Sequence, residues 1–257
     1  MAKHFKKYGV KYVFDHHDIC PELFEAKFGH TSGPLYFSQI FMERQTYKNC
    51  TFAFVTNESY RKIAIERGKM DPEKVIVLRS GPKLERMKIQ PPVESIKRGK
   101  KYMVGYLGVI GQQEGIEYIL EAAKYCKEVL NRNDIFWGIV GGGPHVAALK
   151  EQCTQMGLDD CVEFTGRVPD QQLLDYLNTA GALVESKMAG IAAIVSDWNF
   201  NAEIVKNDSE GIVLKEKLSN VLNKINSQKM MELKVGAFES RKRYDIETYR
   251  EQLLEEI

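Results

Sequence analysis

The region from residue 101 to residue 177 constrains the fold of this chain more than any other part of the sequence. Apolar runs typical of buried strands alternate here with helical patterns, in the order strand, helix, strand, helix, strand. Strands that are joined through helices lie parallel in one sheet, and the helices cover its faces. The region therefore predicts an α/β domain. Its predicted strands are residues 102–107, 135–140 and 162–164, and its predicted helices are residues 116–130 and 146–156.

Glycines gather where two of these strands end. Gly105 lies within the first strand, and Gly108 and Gly111 follow it. Residues 141–143, after the second strand, are all glycine. The carboxyl ends of parallel strands form a ligand crevice, where helix N-termini offer unpaired N–H groups to phosphate. Glycine lets such amides approach a diphosphate closely, although tight strand-to-helix turns would explain the glycines equally well. Neither cluster has the G-x-G-x-x-G or G-x-x-x-x-G-K-S/T spacing, which argues against a standard NAD site and a P-loop.

A shorter alternation of the same kind comes earlier in the chain. Strands are predicted at residues 11–14, 51–56 and 74–78, and a helix is predicted at residues 35–48. Asn57 or Ser59 can cap a second helix that runs to about Arg67. Charged residues and Pro91-Pro92 then interrupt the pattern, and such composition suits an extended linker. We therefore divide the chain near residue 95, into one domain of residues 1–95 and another of residues 96–257.

The first strand-like run ends in Asp15-His16-His17-Asp18. A histidine at a strand end can bind a sugar hydroxyl or move a proton, and an aspartate can orient it. The same four residues could form a structural loop or bind a metal ion. Adjacent histidines on an extended segment point to opposite sides, which disfavours joint chelation.

Composition excludes several classes of protein. The 36 basic and 35 acidic side chains leave no net field that would attract nucleic acid or an anionic membrane. The five cysteines include no C-x-x-C pair, so neither a disulfide framework nor a zinc site is indicated. No run of 18 apolar residues occurs, and the basic residues at the start precede no apolar run of signal-peptide length. We expect a cytoplasmic protein.

With these motifs in hand, the chain resembles the family 4 glycosyltransferases of the GT-B fold. Those are retaining enzymes that use nucleotide-sugar donors across a cleft between two Rossmann-like domains. Residues 14–23 look like the acceptor-side loop of the family, and residues 77–82 look like the strand before its interdomain linker. The donor-domain series of bacterial surface-polysaccharide members is similar to residues 105–116, 141–144 and 164–169.

The resemblance implies roles for particular residues. It implies that the loop from Gly108 to Gly111 cradles the donor, that the base rests near Arg167 and Val168, and that Glu185 holds the ribose. His17 would face the transferred sugar. No metal or other cofactor is implied. The complete set is His17 and Asp18 for catalysis, and Gly108, Gly111, Gln113, Gly142, Arg167, Val168 and Glu185 for donor binding.

The chain also departs from the family pattern. The first glutamate of the E-x7-E motif is absent, because residues 179–182 run directly into residues 183–190, which resemble the helix that carries the second glutamate. We expect an internal deletion of roughly 15 to 25 residues there. Val109 and Glu114 occupy the places of the usual arginine and lysine at the diphosphate, so that Arg167 or Lys187 would have to substitute. The first lobe is expected to lack the opening strand–helix units.

Two functions follow from the resemblance. The first is transfer of a sugar, of the hexosyl class, from a UDP-type donor to a polysaccharide or lipid-linked acceptor with retention. This would occur in the cytoplasm, with peripheral association at the inner face of the membrane left open. The alternative is a non-catalytic nucleotide-sugar-binding subunit that pairs with itself or with a partner chain through an exposed sheet edge.

Overall fold

The computed structural model describes residues 2–79, 88–184, 192–196, 205, 209–214, 218, 221 and 227–240. Two compact units divide between residues 80 and 81. Each has its own parallel sheet, so the predicted α/β class with two parallel-sheet lobes is confirmed. No helix within these described ranges is long and apolar enough to cross a membrane.

The first unit contains a three-stranded parallel sheet in the order β1-β2-β3. Its register pairs Val13 with Phe52 and Ala53 with Val75. The helix over residues 20–28 lies in a region where the sequence patterns predict no element. The elements are α1 (Ala2–Lys6), β1 (Val13–His16), α2 (Cys20–Phe28), α3 (Pro34–Asn49), β2 (Phe52–Val55), α4 (Glu58–Glu66) and β3 (Val75–Val77).

The core of the first unit lies between its sheet and the helices α3 and α4. Tyr47 is buried among the strand residues Ala53, Val55 and Val75. The side chain of Asn57 accepts a hydrogen bond from the backbone N–H of Tyr60 and so caps α4, because this amide has no partner within the helix.

The second unit contains a six-stranded sheet in the order β6-β5-β4-β7-β8-β9, and every pairing in it is parallel. Strand β5 is buried along its whole length, which explains its continuous apolar run. The elements are β4 (Tyr102–Leu107), α5 (Ile116–Glu128), β5 (Ile135–Val140), α6 (Val146–Gln155), β6 (Val162–Gly166), α7 (Asp170–Thr179), β7 (Ala182–Val184), β8 (Ala192–Ser196), β9 (Gly211–Leu214) and α8 (Ser227–Ser240).

Strand β7 differs from the sequence prediction. Residues 183–184 were expected to begin a helix, but Ala182–Val184 pair with β4 on one side and with β8 on the other. An apolar triplet in this place satisfies backbone groups that would otherwise be unpaired in the middle of the sheet. Seven residues, 185–191, join β7 to β8. Parallel strands usually need a dozen or more residues for such a crossover, so this connection is short at the point where a deletion was expected.

The proline-rich segment before β4 packs on the second unit. The backbone N–H groups of Gln90 and Val93 each donate a 2.9 Å hydrogen bond, to Asn178 Oδ1 and Thr179 Oγ1 of α7. Ile96 packs against a core cluster of the same unit. This segment is therefore folded rather than a free linker. The assignment of residues 1–95 to an acceptor-side domain and of residues 96–257 to a donor-binding domain stays a prediction.

Candidate functional site

Three loops meet at the carboxyl edge of the six-stranded sheet, where β4, β5 and β6 end. The amide of Gly108 donates to the carbonyl of Val140 (3.1 Å), and the amide of Ile110 donates to the carbonyl of Gly142 (3.1 Å). The amide of Gly141 donates to the carbonyl of Gly166 at 3.0 Å. These backbone hydrogen bonds join the loops into one rigid surface.

Two of the glycines are required by the close approach of these loops. A Cβ atom on Gly141 would lie 1.9 Å from the carbonyl oxygen of Gly108, and one on Gly143 would lie 2.2 Å from that of Ile110. Gly141 also has a φ of +139°, which L residues rarely adopt. Loop packing therefore explains these glycines without any ligand.

Backbone donors remain available on the same surface. Among the described residues, none accepts a hydrogen bond from the amides of Val109, Gly142 or Gly143. Helices α5 and α6 begin at this edge, and neither has a side-chain cap at its N-terminus. Unpaired N–H groups and the positive ends of two helix dipoles favour an anionic ligand. The edge is thus suited chemically to a phosphate or diphosphate.

Arg167 adjoins these donors, and Val168 follows it in the chain. The Arg167 side chain lies over Gly142, because a Cβ atom there would be 3.3 Å from the Arg167 Cγ. Arg167 is exposed, and Val168 is half-buried against the cluster that contains Val140. Gln113 lies in a 3-10 helix, Gln112–Glu114, directly after the first glycine loop. Glu185 and Lys187 lie outside the described residues.

His145 also belongs to this site, although no sequence pattern indicated a role for it. Its amide donates to the carbonyl of Ile110 (3.2 Å), and its Nε2 lies 2.7 Å from Glu117 Oε1. The side chain thus fastens the second glycine loop to the first turn of α5. Its position just before a helix, directly after a glycine-proline turn, was the available signal.

In the first unit, the two adjacent histidines have opposite surroundings. His16 ends β1 and is buried, with its Nδ1 2.7 Å from the Tyr47 hydroxyl oxygen. Its ring stacks on Phe14 and lies close to Tyr60. Burial lowers the pKa of His16, and the charge of Glu43 opposes this shift only in part. His16 is therefore an uncharged anchor for the chain at pH 7.

His17 points away from that core. It is exposed, and its Nε2 lies 3.0 Å from Asp15 Oδ1. Asp18 is also exposed, and no contact joins its carboxylate to His17. The structure therefore pairs His17 with Asp15, a residue that the sequence-based set omitted. Residues two apart on a strand share one face, so this pairing could have been foreseen.

A partly buried ionic network holds the segment that follows. Arg67 Nε and Nη2 donate to Glu43 Oε1 and Oε2, both at 2.7 Å, and Arg67 Nη1 donates to Glu22. Glu43 lies on α3 and Glu22 lies in the first turn of α2. Such bidentate pairs fix geometry strongly, so α2 is fixed directly after Asp18. Within the described residues, no three His, Cys, Asp or Glu side chains could hold a metal ion.

The sequence matches a known family over more than half of its length. Residues 90–249 match the family of glycosyl transferases group 1. The chain belongs to this family. It is also similar to an uncharacterized glycosyltransferase, MJ1607, of Methanocaldococcus jannaschii, with 28% identity over 43% of this chain and 31% of that protein. The chain therefore matches about a third of that relative's length.

Solved structures show the same fold at low sequence identity. Alr3699/HepE from Anabaena, in complex with UDP, superposes with a TM-score of 0.81 at 17% identity, covering 99% of this chain and 74% of that one. Sucrose-phosphate synthase from Thermosynechococcus elongatus gives a TM-score of 0.77 at 16% identity, over 98% of this chain and 68% of that one. These matches confirm the predicted GT-B-like fold.

Proposed function

We propose that this glycosyl transferases group 1 member moves a sugar from a UDP-sugar to a saccharide or lipid-linked saccharide, with retention. The observation that carries the proposal is the set of free backbone donors at the glycine loops, beside two uncapped helix N-termini and Arg167. The structure of Anabaena HepE with UDP and glucose, which has a TM-score of 0.79 to this chain, supports a uridine nucleotide as the ligand.

On the donor side, the diphosphate would accept hydrogen bonds from the amides of Val109, Gly142 and Gly143. Each helix N-terminus supplies about half a positive charge, and the Arg167 guanidinium adds a full one. These charges would stabilise the departing UDP without a metal ion. The base would lie beside Val168, and Gln113 would contact the donor. Glu185 is proposed as the ribose ligand from its resemblance alone.

On the acceptor side, His17 would contact the transferred sugar. The Nε2 atom of His17 lies 3.0 Å from Asp15 Oδ1, so its Nδ1 would be the atom that contacts a sugar hydroxyl. Asp18 is proposed as a second polar contact. His16 has no role in transfer, because its ring is enclosed by Phe14, Tyr47 and Tyr60.

We also propose a place for the reaction. Resemblance to surface-polysaccharide enzymes supports assembly of such a polymer, in the cytoplasm and at the inner face of the membrane. A hexosyl donor fits that role.

The alternative function is nucleotide-sugar binding without transfer. The short connection between β7 and β8 favours it, because the missing first glutamate of E-x7-E belongs to that region. Strand β1 lies at one edge of the three-stranded sheet, and its residue Val13 is exposed. A partner chain or a second copy could add a strand there.

Calorimetry with UDP and UDP-glucose tests both functions. We expect UDP to bind with a Kd on the order of 1–100 μM, a range typical of enzyme substrates. His17→Ala should leave this Kd unchanged and reduce UDP release from UDP-glucose by about 100-fold. His30→Ala, another exposed histidine of the same unit, is the matched control. Absence of nucleotide binding would contradict both functions, and binding without UDP release from any donor and acceptor mixture would favour the alternative.

A further inference from the structure

A cavity of about 280 Å³ lies beside strand β6 in the second unit. β6 is the end strand in the order β6-β5-β4-β7-β8-β9, so β5 pairs with one side of it and the cavity lies along the rest. None of the residues that line the cavity belongs to the candidate donor site at the glycine loops. The lining includes Arg98, Lys150, Asp159, Val162, Glu163 and Phe164.

Two opposite charges in this cavity have no ionic partner. Among the residues that the structure describes, no ion pair engages the exposed side chains of Lys150 and Asp159. Asp159 Oδ1 accepts a 2.9 Å hydrogen bond from the Thr154 hydroxyl group. The other two charges of the lining, Arg98 and Glu163, pair with each other. The cavity therefore presents one ammonium group and one carboxylate that do not lie within ion-pair distance of each other.

Strand β6 supplies the rest of the wall. The backbone N–H of Trp137 on β5 donates to the carbonyl of Cys161 (2.8 Å), and alternate residues of a parallel strand direct their backbone groups to alternate sides. The N–H and C=O of Phe164 therefore face the open edge of the sheet. The side chains of Val162 and Phe164 pack with the apolar core. They give the cavity an apolar part between polar groups.

We propose that this cavity binds a free α-amino acid with an apolar side chain, such as leucine. Its carboxylate would pair with the Lys150 ammonium group, and its ammonium group would pair with the Asp159 carboxylate. Its side chain would lie against Val162 and Phe164, as apolar walls with a few polar groups are typical of small-molecule sites.

Other small ligands suit these groups less well. An anion such as phosphate would leave the Asp159 carboxylate unpaired and would be repelled by it, and a simple cation would meet the same difficulty at Lys150. A zwitterion satisfies both charges. The inference does not rest on the proposed sugar transfer, because it involves no residue of the donor site.

A titration followed by NMR tests this inference on the isotope-labelled full chain. The probe is leucine, and we expect a Kd on the order of 1 mM, because ion pairs between exposed groups contribute little. The backbone amides of Thr154 and Phe164 should shift and reach saturation, whereas those of Gly108 and Gly142 should not shift. N-acetyl-leucine lacks the ammonium group and leucinamide lacks the carboxylate. Each should bind about fivefold more weakly than leucine.

Two substitutions locate the charges. Lys150→Gln and Asp159→Asn should each weaken leucine binding by about fivefold, the upper range for an exposed ion pair. In Lys150→Gln, leucine and leucinamide should bind alike, because the partner of the carboxylate is gone. In Asp159→Asn, leucine and N-acetyl-leucine should bind alike for the corresponding reason. Lys124→Gln and Glu151→Gln change charges that do not line the cavity, so these controls should bind as the unchanged protein does.

Several results would overturn the proposal. These are shifts that do not saturate, equal binding of leucine and both analogues, or unchanged leucine binding by both variants. Shifts confined to the glycine loops would place leucine in the donor site and also contradict it. Tighter binding of trileucine than of leucine would assign the edge of β6 to an added peptide strand instead. Thermal melting verifies that each variant is folded, and if one is not, the two analogues decide because they need no substitution.

Discussion

The two units build their candidate sites from different parts of the chain. At the glycine loops of the second unit, backbone amides are held by other backbone atoms, and glycine is required where the loops touch. In the first unit, the exposed side chains at the end of β1 are held near two polar pairs, His16 with Tyr47 and Arg67 with Glu43. Substitution of a glycine should therefore impair the site of the second unit most. Substitution of a buried polar residue should impair the site of the first unit most.

The largest expected effect is on the ionic network. Arg67→Met leaves the Glu43 carboxylate buried without its partner, which should lower the free energy of unfolding by about 3–5 kcal/mol. Denaturant unfolding measures this loss. The double variant Arg67→Met with Glu43→Met should recover most of the stability, because no unpaired charge remains. Equal losses in the single and double variants would show that packing, rather than charge pairing, holds α2 and α3.

The next effect concerns the glycine loops. Gly141→Ala places a methyl group 1.9 Å from the Gly108 carbonyl oxygen, so we expect a loss of about 2–4 kcal/mol and a loss of UDP binding. Gly157 is the matched control, because it also has a positive φ but has open space around it. Gly157→Ala should cost about 1 kcal/mol and leave UDP binding intact. Similar effects of the two substitutions would contradict the packing role of Gly141.

The next effect depends on pH and comes from His16. Because burial lowers the pKa of His16 below 6.5, the unfolded chain binds a proton before the folded chain does as pH falls. The stability from the neutral ring is complete above about pH 6.5 and decreases toward the lower folded-state pKa. Urea unfolding from pH 7.5 to pH 5 should show a shallower decrease for His16→Gln than for the unchanged protein. Equal slopes for His16→Gln and the unchanged protein would contradict the assignment.

The smallest effect belongs to the contact between His145 and Glu117. Glu117→Gln keeps a hydrogen-bonding group but removes the charge, so UDP affinity should fall by only about two- to threefold. Glu121→Gln on the same helix is exposed and serves as the control. A loss of more than tenfold would place Glu117 in direct contact with the ligand instead.

The sequence predicted the strands best where both faces of the strand are buried. β4 and β5 begin and end at the predicted residues, because their apolar runs are bounded by glycine or polar residues. The prediction was wrong at residues 183–184. The resemblance implied a helix there, whereas these residues form a strand that pairs with β4 and β8. Propensity cannot reveal such a demand from neighbouring strands.

For the site, the sequence predicted the loops but not their partners. Gly108, Gly142, Arg167 and Val168 do lie at one edge of the sheet, as parallel topology requires. The contacts of His145 with Ile110 and Glu117 join residues distant in sequence, so no spacing predicts them. The net charge of +1 for the whole chain likewise conceals a basic first unit. Residues 2–79 contain 13 Lys and Arg side chains against 9 Asp and Glu, and the rest of the chain offsets this excess.

One titration tests the donor site most directly. A methyl group on Gly142 would lie 3.3 Å from the exposed Arg167 side chain, which can move aside, so Gly142→Ala should melt as the unchanged protein does. The same methyl group would stand where the diphosphate must approach the amides of residues 142 and 143. Calorimetry should therefore show UDP binding to the unchanged chain and at least about tenfold weaker binding to Gly142→Ala. Equal binding by both proteins, or no binding by the unchanged one, would contradict a donor site at these loops.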